Sequence, residues 1–184
     1  FADASAPAPS DAELVLRAYR YWGEHVLHRL KGMFALIVWD GTRDILLCAR
    51  DPLGVYPLFS AEVGRERLFS TSIETLLQHP RLSRTVNRTT LARHLCHYWL
   101  TSEETYFAGV SRVPAGHAMR VSSAGRQVYR YWDPAPPSAP VDWIGEDELE
   151  RFDELLEQAV ARCLELGPSG IQLSGGLDSA SLAA

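Results

Sequence analysis

The spacing of apolar residues predicts a helix near the start of the chain, followed by a strand-rich region. Ser10 lies three residues before Glu13, and apolar residues then recur at helical spacing, which predicts a capped amphipathic helix that ends at Gly23. Two β-rich runs follow, MFALIVWD and DILLCARD, joined by a short turn. Their continuous apolar character predicts a hairpin that is covered on both faces, as in the inner layer of a sandwich.

Turn residues divide the middle of the chain into further short elements. The stretch RDPLGVYPLFS, residues 50–60, carries two prolines and a glycine, which is typical of a rigid bend between strands. A second hairpin is expected around Gly64, and a third around Gly125. The remaining apolar patterns predict helices at 73–78 and 89–100 and strands at 106–113 and 117–121.

A proline-rich stretch separates this region from the last part of the chain. DPAPPSAP, residues 133–140, is typical of a linker, because clustered prolines remove backbone donors that a helix or sheet needs. Beyond it, an i, i+3, i+4 apolar stripe over 149–163 predicts a helix that ends before Gly167 and Pro168. The run GIQL then predicts a strand that leads directly into SGGLDS, residues 174–179.

Composition and charge fit a folded protein and argue against two classes of partner. Of the 184 residues, 46% are hydrophobic and 22% are charged. The net charge of -5, with no Lys- and Arg-rich segment, argues against nucleic-acid binding. No apolar run approaches the roughly 20 residues that span a bilayer, so no membrane association is expected. Cys48, Cys96 and Cys163 are too widely spaced for a metal pair, and we expect buried structural thiols in a reducing cytoplasm.

SGGLDS has the composition of a phosphate-binding loop. A strand, a glycine-rich turn and a helix start aim backbone N–H groups at an anion, and Gly175 and Gly176 allow close approach of the phosphate. Ser174 and Ser179 add hydroxyl donors, and Asp178 is suited to bind a Mg²⁺ ion that bridges to phosphate oxygens. The alternative from the local pattern alone is a structural glycine turn with a serine cap.

Six segments of the chain together resemble one enzyme family. LSGGLDSASLAA resembles the pyrophosphate-binding loop of ATP pyrophosphatase ligases, in a setting similar to that of the glutamine-hydrolysing asparagine synthetases and their β-lactam and macrolactam synthetase relatives. The other five match, in order and spacing, the second half of that family's amidotransferase domain: SDAELVLRAYRYWG, RLKGMFALIVWD, RDPLGVYPLFS, YFAGVSRVPAGHAMRV and RYWDP.

The resemblance implies an α+β fold in two parts. Residues 1–132 would be the C-terminal half of a class II glutamine amidotransferase-like domain, a partial Ntn-hydrolase-type sandwich of antiparallel sheets flanked by helices. A Pro-rich linker at 133–140 would precede the start of an α/β ATP pyrophosphatase domain at 141–184. The whole enzyme would adenylate a carboxylate with ATP and Mg²⁺ and form an amide with ammonia from glutamine. On this basis we expect the chain to be a fragment that is inactive alone.

The resemblance also implies roles for individual residues. Asp11 would receive the α-ammonium group of glutamine, although Ser10 and Asp11 alone are typical of a helix cap and a first-turn acid. The family's nucleophile is an N-terminal cysteine, and because the chain begins with Phe1, no catalytic residue is carried over. The ATP- and pyrophosphate-binding residues would be Leu173, Ser174, Gly175, Gly176, Asp178 and Ser179, with Asp178 also a metal ligand.

One departure from the family pattern leaves the product open. Asparagine synthetases usually carry alanine-serine-glutamate where this chain has Ser70, Thr71 and Ser72, with Glu74 two residues later. Lactam-forming relatives, which use an internal amine of the substrate, diverge at such places. Two alternatives to a glutamine-dependent asparagine synthase-like ligase therefore stay open: a β-lactam or macrolactam synthetase, and a noncatalytic amidotransferase-like binding module.

The expected partners follow from the same resemblance. They are glutamine, ATP and a carboxylate substrate, either aspartate or a natural-product precursor, with a homodimer as a candidate assembly in the cytoplasm. A metal site at His94 and His97, predicted on one helix, is disfavoured because no third ligand is spaced with them.

Overall fold

The computed structural model describes residues 8–135, 145–165 and 167–183. The chain divides into two compact units, residues 1–136 and 137–184. Most of the predicted linker, residues 136–140, lies outside the described residues. None of the helices in the described ranges has both the length and the apolar character that crossing a bilayer requires.

The first unit is built on two antiparallel sheets. Sheet A has the strand order β1-β2-β6-β7, and sheet B has the order β4-β3-β5. The strands are β1 (Ala35–Asp40), β2 (Ile45–Arg50), β3 (Phe59–Val63), β4 (Glu66–Ser70), β5 (Val110–Arg112), β6 (His117–Ser122) and β7 (Gly125–Arg130). The helices are α1 (Asp11–Trp22), a 3-10 helix (Gly23–His28), α2 (Ile73–Leu77) and α3 (Arg88–Leu95).

Buried clusters give the order of the layers as helix, sheet, sheet and helix. Adjacent residues Leu47 and Cys48 of β2 are both fully buried, but they belong to different clusters because successive side chains of a strand point to opposite faces. Leu47 packs with the residues of α1 and the 3-10 helix, and Cys48 packs between the sheets with Leu58. A third cluster joins sheet B to Leu76 of α2. This confirms the predicted α+β class of antiparallel sheets flanked by helices.

The first helix begins and ends at the predicted residues. The Ser10 hydroxyl accepts a hydrogen bond from the Glu13 N–H at 3.4 Å, and the Ser10 N–H donates to the Glu13 carboxylate at 3.0 Å, which forms a capping box. Gly23 follows the last residue with φ 58°, a left-handed conformation that favours glycine, and its N–H donates to the Tyr19 carbonyl.

The predicted hairpin of β1 and β2 is confirmed, but the expectation that both of its faces are covered is wrong for β1. Among the described strands, β1 pairs with β2 alone and forms an edge of sheet A. Val38 packs against the helix layer and is buried, whereas its neighbours Ile37 and Trp39 are 48% and 60% exposed. Apolar content indicates a strand, but it does not show whether the strand lies at the centre or the edge of its sheet.

Two other predicted elements are shorter than expected. The helix predicted at 89–100 ends at Leu95, because His97 has φ 58° and its N–H donates to the carbonyl of His94. His94 and His97 therefore do not share a helix. The strand predicted at 106–113 begins at Val110. The hairpins at Gly64 and Gly125 and the helix near 73–78 are confirmed.

The second unit contains two helices in its described residues. The predicted amphipathic helix is confirmed as α4 (Glu146–Leu164), and α5 (Leu177–Ser181) follows SGG. The strand predicted at 170–173 is wrong, since these residues have no strand structure. A strand needs a neighbour for its backbone hydrogen bonds, and the described residues of this unit supply none.

Candidate functional site

Asp11 lies in the first turn of α1, beside a groove of about 750 Å³. The groove runs between α1 and β1, and its lining is apolar except for Asp11 and Lys31. Asp11 is exposed, and its carboxylate makes no hydrogen bond to another described residue. The capping role at this helix start belongs to Ser10 and Glu13, so the Asp11 carboxylate remains accessible to a ligand.

The SGGLDS loop is held in shape by its two serines. The Ser179 hydroxyl lies 3.1 Å from the Ser174 hydroxyl, accepts from the Ser174 N–H at 3.2 Å and donates to the Gly176 carbonyl at 3.1 Å. Gly175 has φ 80°, a left-handed conformation that side chains rarely adopt. The loop therefore closes on itself between Leu173 and the start of α5, and its tip is glycine backbone.

The tip of the SGGLDS loop is exposed, and an exposed acid follows it. A Cβ added at Gly175 would meet no atom of the described residues within 4 Å, so the loop tip is open. Asp178 lies in the first turn of α5 and is exposed. Mg²⁺ in proteins is commonly held by one or two carboxylates together with substrate phosphates. Within the described ranges no three His, Cys, Asp or Glu side chains cluster as a metal site.

A clamp formed by Arg50 and Asp51 fixes the loop after β2, and the sequence analysis did not predict it. Asp51 is 1% exposed, and its carboxylate accepts from the N–H groups of Val55 at 3.0 Å and Tyr56 at 2.8 Å. The Arg50 guanidinium donates to the carbonyls of Tyr56 at 2.7 Å and Val113 at 3.1 Å, and also to that of Gly54. The prolines and the glycine indicated a rigid bend, but much of that rigidity comes from the hydrogen bonds that the Arg50 and Asp51 side chains make to backbone groups. The sequence feature that could have indicated this clamp is the acid directly before the proline of the turn.

Glu74 occupies a structural position at the start of α2. Its carboxylate accepts a hydrogen bond from the Ser72 hydroxyl at 2.6 Å, and Ser72 in turn caps α2 by accepting from the Thr75 N–H at 3.3 Å. This hydrogen bond lowers the pKa of Glu74. In this chain Glu74 is therefore engaged with its own helix.

The cysteines and histidines differ partly from expectation. Cys48 is fully buried as predicted, and burial raises the pKa of its thiol to about 12. Cys96 and Cys163 are exposed, so the prediction of buried thiols is wrong for both. Cys96 is the residue that follows the last turn of α3, and Cys163 lies on α4, which has no buried residue. The His94 ring packs edge-on against Tyr106, with ring centroids 5.5 Å apart.

Comparison with known proteins covers nearly the whole chain. Residues 3–132 match the family model of the glutamine amidotransferase domain, and residues 151–184 match that of asparagine synthase. Asparagine synthetase [glutamine-hydrolyzing] 3 of Bacillus subtilis is 34% identical over 180 residues, 95% of this chain and 28% of the relative. Amidase chyE of Penicillium rubens is 32% identical over 178 residues, 95% of this chain and 26% of the relative. The chain thus spans little more than a quarter of the length of these relatives.

Solved structures show a weaker likeness. The structure of the allosteric regulatory enzyme of purine biosynthesis has a TM-score of 0.43 at 17% identity, over 70% of this chain and 24% of that one. The family resemblance itself is confirmed by the sequence matches, which extend across both units. The chain belongs to the glutamine amidotransferase domain family, as a member similar to the asparagine synthetases.

Proposed function

We propose that this chain is part of an ATP-dependent, amide-forming synthetase that adenylates a carboxylate and transfers ammonia from glutamine. The observation that carries the proposal is the succession of the two matches, with a glutamine amidotransferase domain at 3–132 and an asparagine synthase segment at 151–184. The relative from Bacillus subtilis is named a glutamine-hydrolysing asparagine synthetase. A cytoplasmic location belongs to the same proposal.

In this proposal Asp11 binds the α-ammonium group of glutamine. Its carboxylate is exposed, lines a mostly apolar groove and has no hydrogen-bonding partner among the described residues, so it is available for a charge-assisted hydrogen bond. The apolar lining would accommodate the methylene groups of the glutamine side chain.

The loop that ends the second unit would hold the phosphates of ATP. Leu173 and the Ser174–Ser179 loop would position the phosphates through backbone N–H groups at the glycine tip and the start of α5, and Asp178 would bind Mg²⁺. ATP and Mg²⁺ supply an activated phosphoanhydride with neutralised charge, and this chain's residues orient it.

The test uses the full-length protein with ATP, Mg²⁺, aspartate and either glutamine or ammonium chloride. Asp11→Asn is expected to weaken glutamine-dependent amide formation and to leave ammonia-dependent formation unchanged. Asp178→Asn should reduce both reactions. Asp153→Asn, an exposed change on α4, is the matched control and should reduce neither. If the wild-type protein forms no amide and releases no pyrophosphate with either nitrogen source, the proposal fails for aspartate.

The same measurements separate the two alternatives. A lactam-forming relative would release pyrophosphate with a substrate that carries its own amine, and it would need neither glutamine nor ammonia. A noncatalytic binding module would bind glutamine or another amino acid but would release no pyrophosphate with any carboxylate. Reading the residue after the initiator methionine in the coding DNA adds an independent criterion, because the glutamine-dependent enzymes use an N-terminal cysteine.

A further inference from the structure

The first unit has a second cleft, about 870 Å³ in volume, that the proposed function does not use. This cleft, here called the polar cleft, lies between the second half of α1, the 3-10 helix and the turn that joins β1 to β2, with Arg120 of β6 and Tyr129 of β7 completing its lining. Neither Asp11 nor the SGGLDS loop contributes to it. Its volume lies within the range of small-molecule binding sites.

The two carboxylates of the polar cleft are already occupied by donors of the protein. Asp40 accepts hydrogen bonds from the Thr42 hydroxyl at 2.6 Å, from the N–H groups of Thr42 and Arg43, and from the Tyr19 hydroxyl at 3.2 Å. Glu24 accepts from the Tyr129 hydroxyl. The side chains of Asp40 and Glu24 are only 13% and 26% exposed, so the acceptors of the cleft are largely turned away from solvent.

The cationic groups of the polar cleft, in contrast, keep unused donors. Arg43 and Arg120 form ion pairs with Asp40 and Glu24, but the Nε atoms lie 3.7 Å from the carboxylate oxygens, which is beyond hydrogen-bonding distance. The two arginine side chains are 60% and 43% exposed. Arg20 forms no ion pair with another described residue. The exposed rings of His25 and His28 lie on the same wall. Each guanidinium has five N–H donors. The free hydrogen-bonding groups of the cleft are therefore almost all donors, which suit a ligand that offers acceptors.

Aromatic rings line the same space. Trp39 is 60% exposed and Tyr21 is 81% exposed, and both line the cleft beside the arginines. The Arg43 Nη1 atom lies 3.7 Å from the position that a Cβ at Gly23 would take, so this side chain extends across the cleft toward the 3-10 helix. A ligand held by Arg43 would therefore lie within the aromatic lining.

We propose that the polar cleft binds an aromatic organic anion, in which a carboxylate or phosphate ester is attached to an aromatic or heteroaromatic ring. The guanidinium groups of Arg20, Arg43 and Arg120 bind the anion, because a guanidinium can donate two parallel hydrogen bonds to two oxygens of a carboxylate or a phosphate. The ring packs against Trp39 and Tyr21.

The proposal is tested by isothermal titration calorimetry of the full-length protein with phenyl phosphate. Phenyl phosphate is expected to bind, with an affinity that falls as salt is raised, because the contact is ionic and partly exposed. Benzyl alcohol, which lacks the anion, is expected not to bind measurably. Inorganic phosphate, which lacks the ring, is expected to bind at least about tenfold more weakly than phenyl phosphate. Equal affinity for inorganic and phenyl phosphate would overturn the assignment of the aromatic wall.

Two arginine variants locate the binding. Arg43→Gln is expected to weaken phenyl phosphate binding about tenfold, whereas Arg88→Gln, an exposed arginine of α3 outside the cleft, should leave it unchanged. Thermal unfolding followed by circular dichroism checks that both variants fold like the wild type. The proposal is overturned if phenyl phosphate does not bind, or if both variants bind it as tightly as the wild-type protein.

Discussion

Replacing the buried acid of the loop clamp should destabilise the first unit more than any surface change. In the native protein Asp51 is 1% exposed, and its side chain accepts hydrogen bonds from the N–H groups of Val55 and Tyr56. Asp51→Ala removes this acceptor. Each buried donor left without a partner costs about 1–3 kcal/mol, so losing the acceptor of both should lower the free energy of unfolding by about 2–6 kcal/mol. Asp51→Asn keeps one acceptor oxygen and should lose about half as much.

The assay is urea denaturation of the protein followed by circular dichroism, with thermal melting as a second measure. At about 4 °C per kcal/mol for a unit of this size, Asp51→Ala should lower the melting temperature by about 8 °C or more. The matched control is Glu103→Ala, an exposed acid whose loss should change the unfolding free energy by no more than about 0.5 kcal/mol.

Limited proteolysis shows whether the effect is local to the loop. Thermolysin cleaves before large apolar residues, and Val55 is 54% exposed yet held by the hydrogen bond from its own N–H to Asp51. Cleavage at Gly54–Val55 should become faster in Asp51→Ala than in Glu103→Ala, since the backbone can then open. If Asp51→Ala matches the wild type in both stability and cleavage rate, the two hydrogen bonds do not hold the loop and the reasoning is wrong.

Three further predictions test other parts of the first unit. In the native protein at pH 8, Cys48 should resist Ellman's reagent while the two exposed cysteines react, because burial raises the pKa of the Cys48 thiol to about 12; a third thiol should react only in denaturant. The hydrogen bond from Thr42 lowers the pKa of Asp40. The stability that the ionised Asp40 contributes is therefore present above the ordinary pKa of an aspartate, and it is lost as the pH falls through the lowered pKa. Thr42→Val should raise the pKa of Asp40 in an NMR titration and reduce the stability lost on acidification, while Thr42→Ser should not. Gly116→Ala should lower the melting temperature more than Gly64→Ala: both have positive φ, but only at Gly116 would the added Cβ lie 2.9 Å from a backbone carbonyl oxygen. Equal losses in the two glycine variants would show that backbone strain alone decides.

Local patterns were sufficient to predict most elements of the fold. The capping residues Ser10 and Glu13 and the terminating Gly23 fixed the first helix, because each acts on the backbone within one turn. The apolar runs likewise predicted the hairpins. The sequence could not show that β1 lies at a sheet edge, since strand order depends on residues distant in the chain.

The failures of the sequence analysis share the same physical cause. GIQL has the composition of a strand, but a strand forms only where neighbouring backbone supplies hydrogen bonds. The clamp and the polar cleft escaped notice because they join side chains far apart in sequence, such as Arg50 with Val113 and Glu24 with Tyr129. The roles of Asp11 and the SGGLDS loop rest on family resemblance and stay predictions.

The open edge of β1 has a practical consequence for handling the protein at high concentration. Alternate residues of β1 (Ala35–Asp40) point backbone N–H and C=O groups away from β2, where no described strand bonds them, and the side chains of Ile37 and Trp39 are exposed beside them. Such an edge can be extended by a strand of another molecule, and each added copy presents the next one with backbone to pair. We expect this segment to set the protein concentration at which the chain precipitates, and a lysine at position 37 should raise that limit.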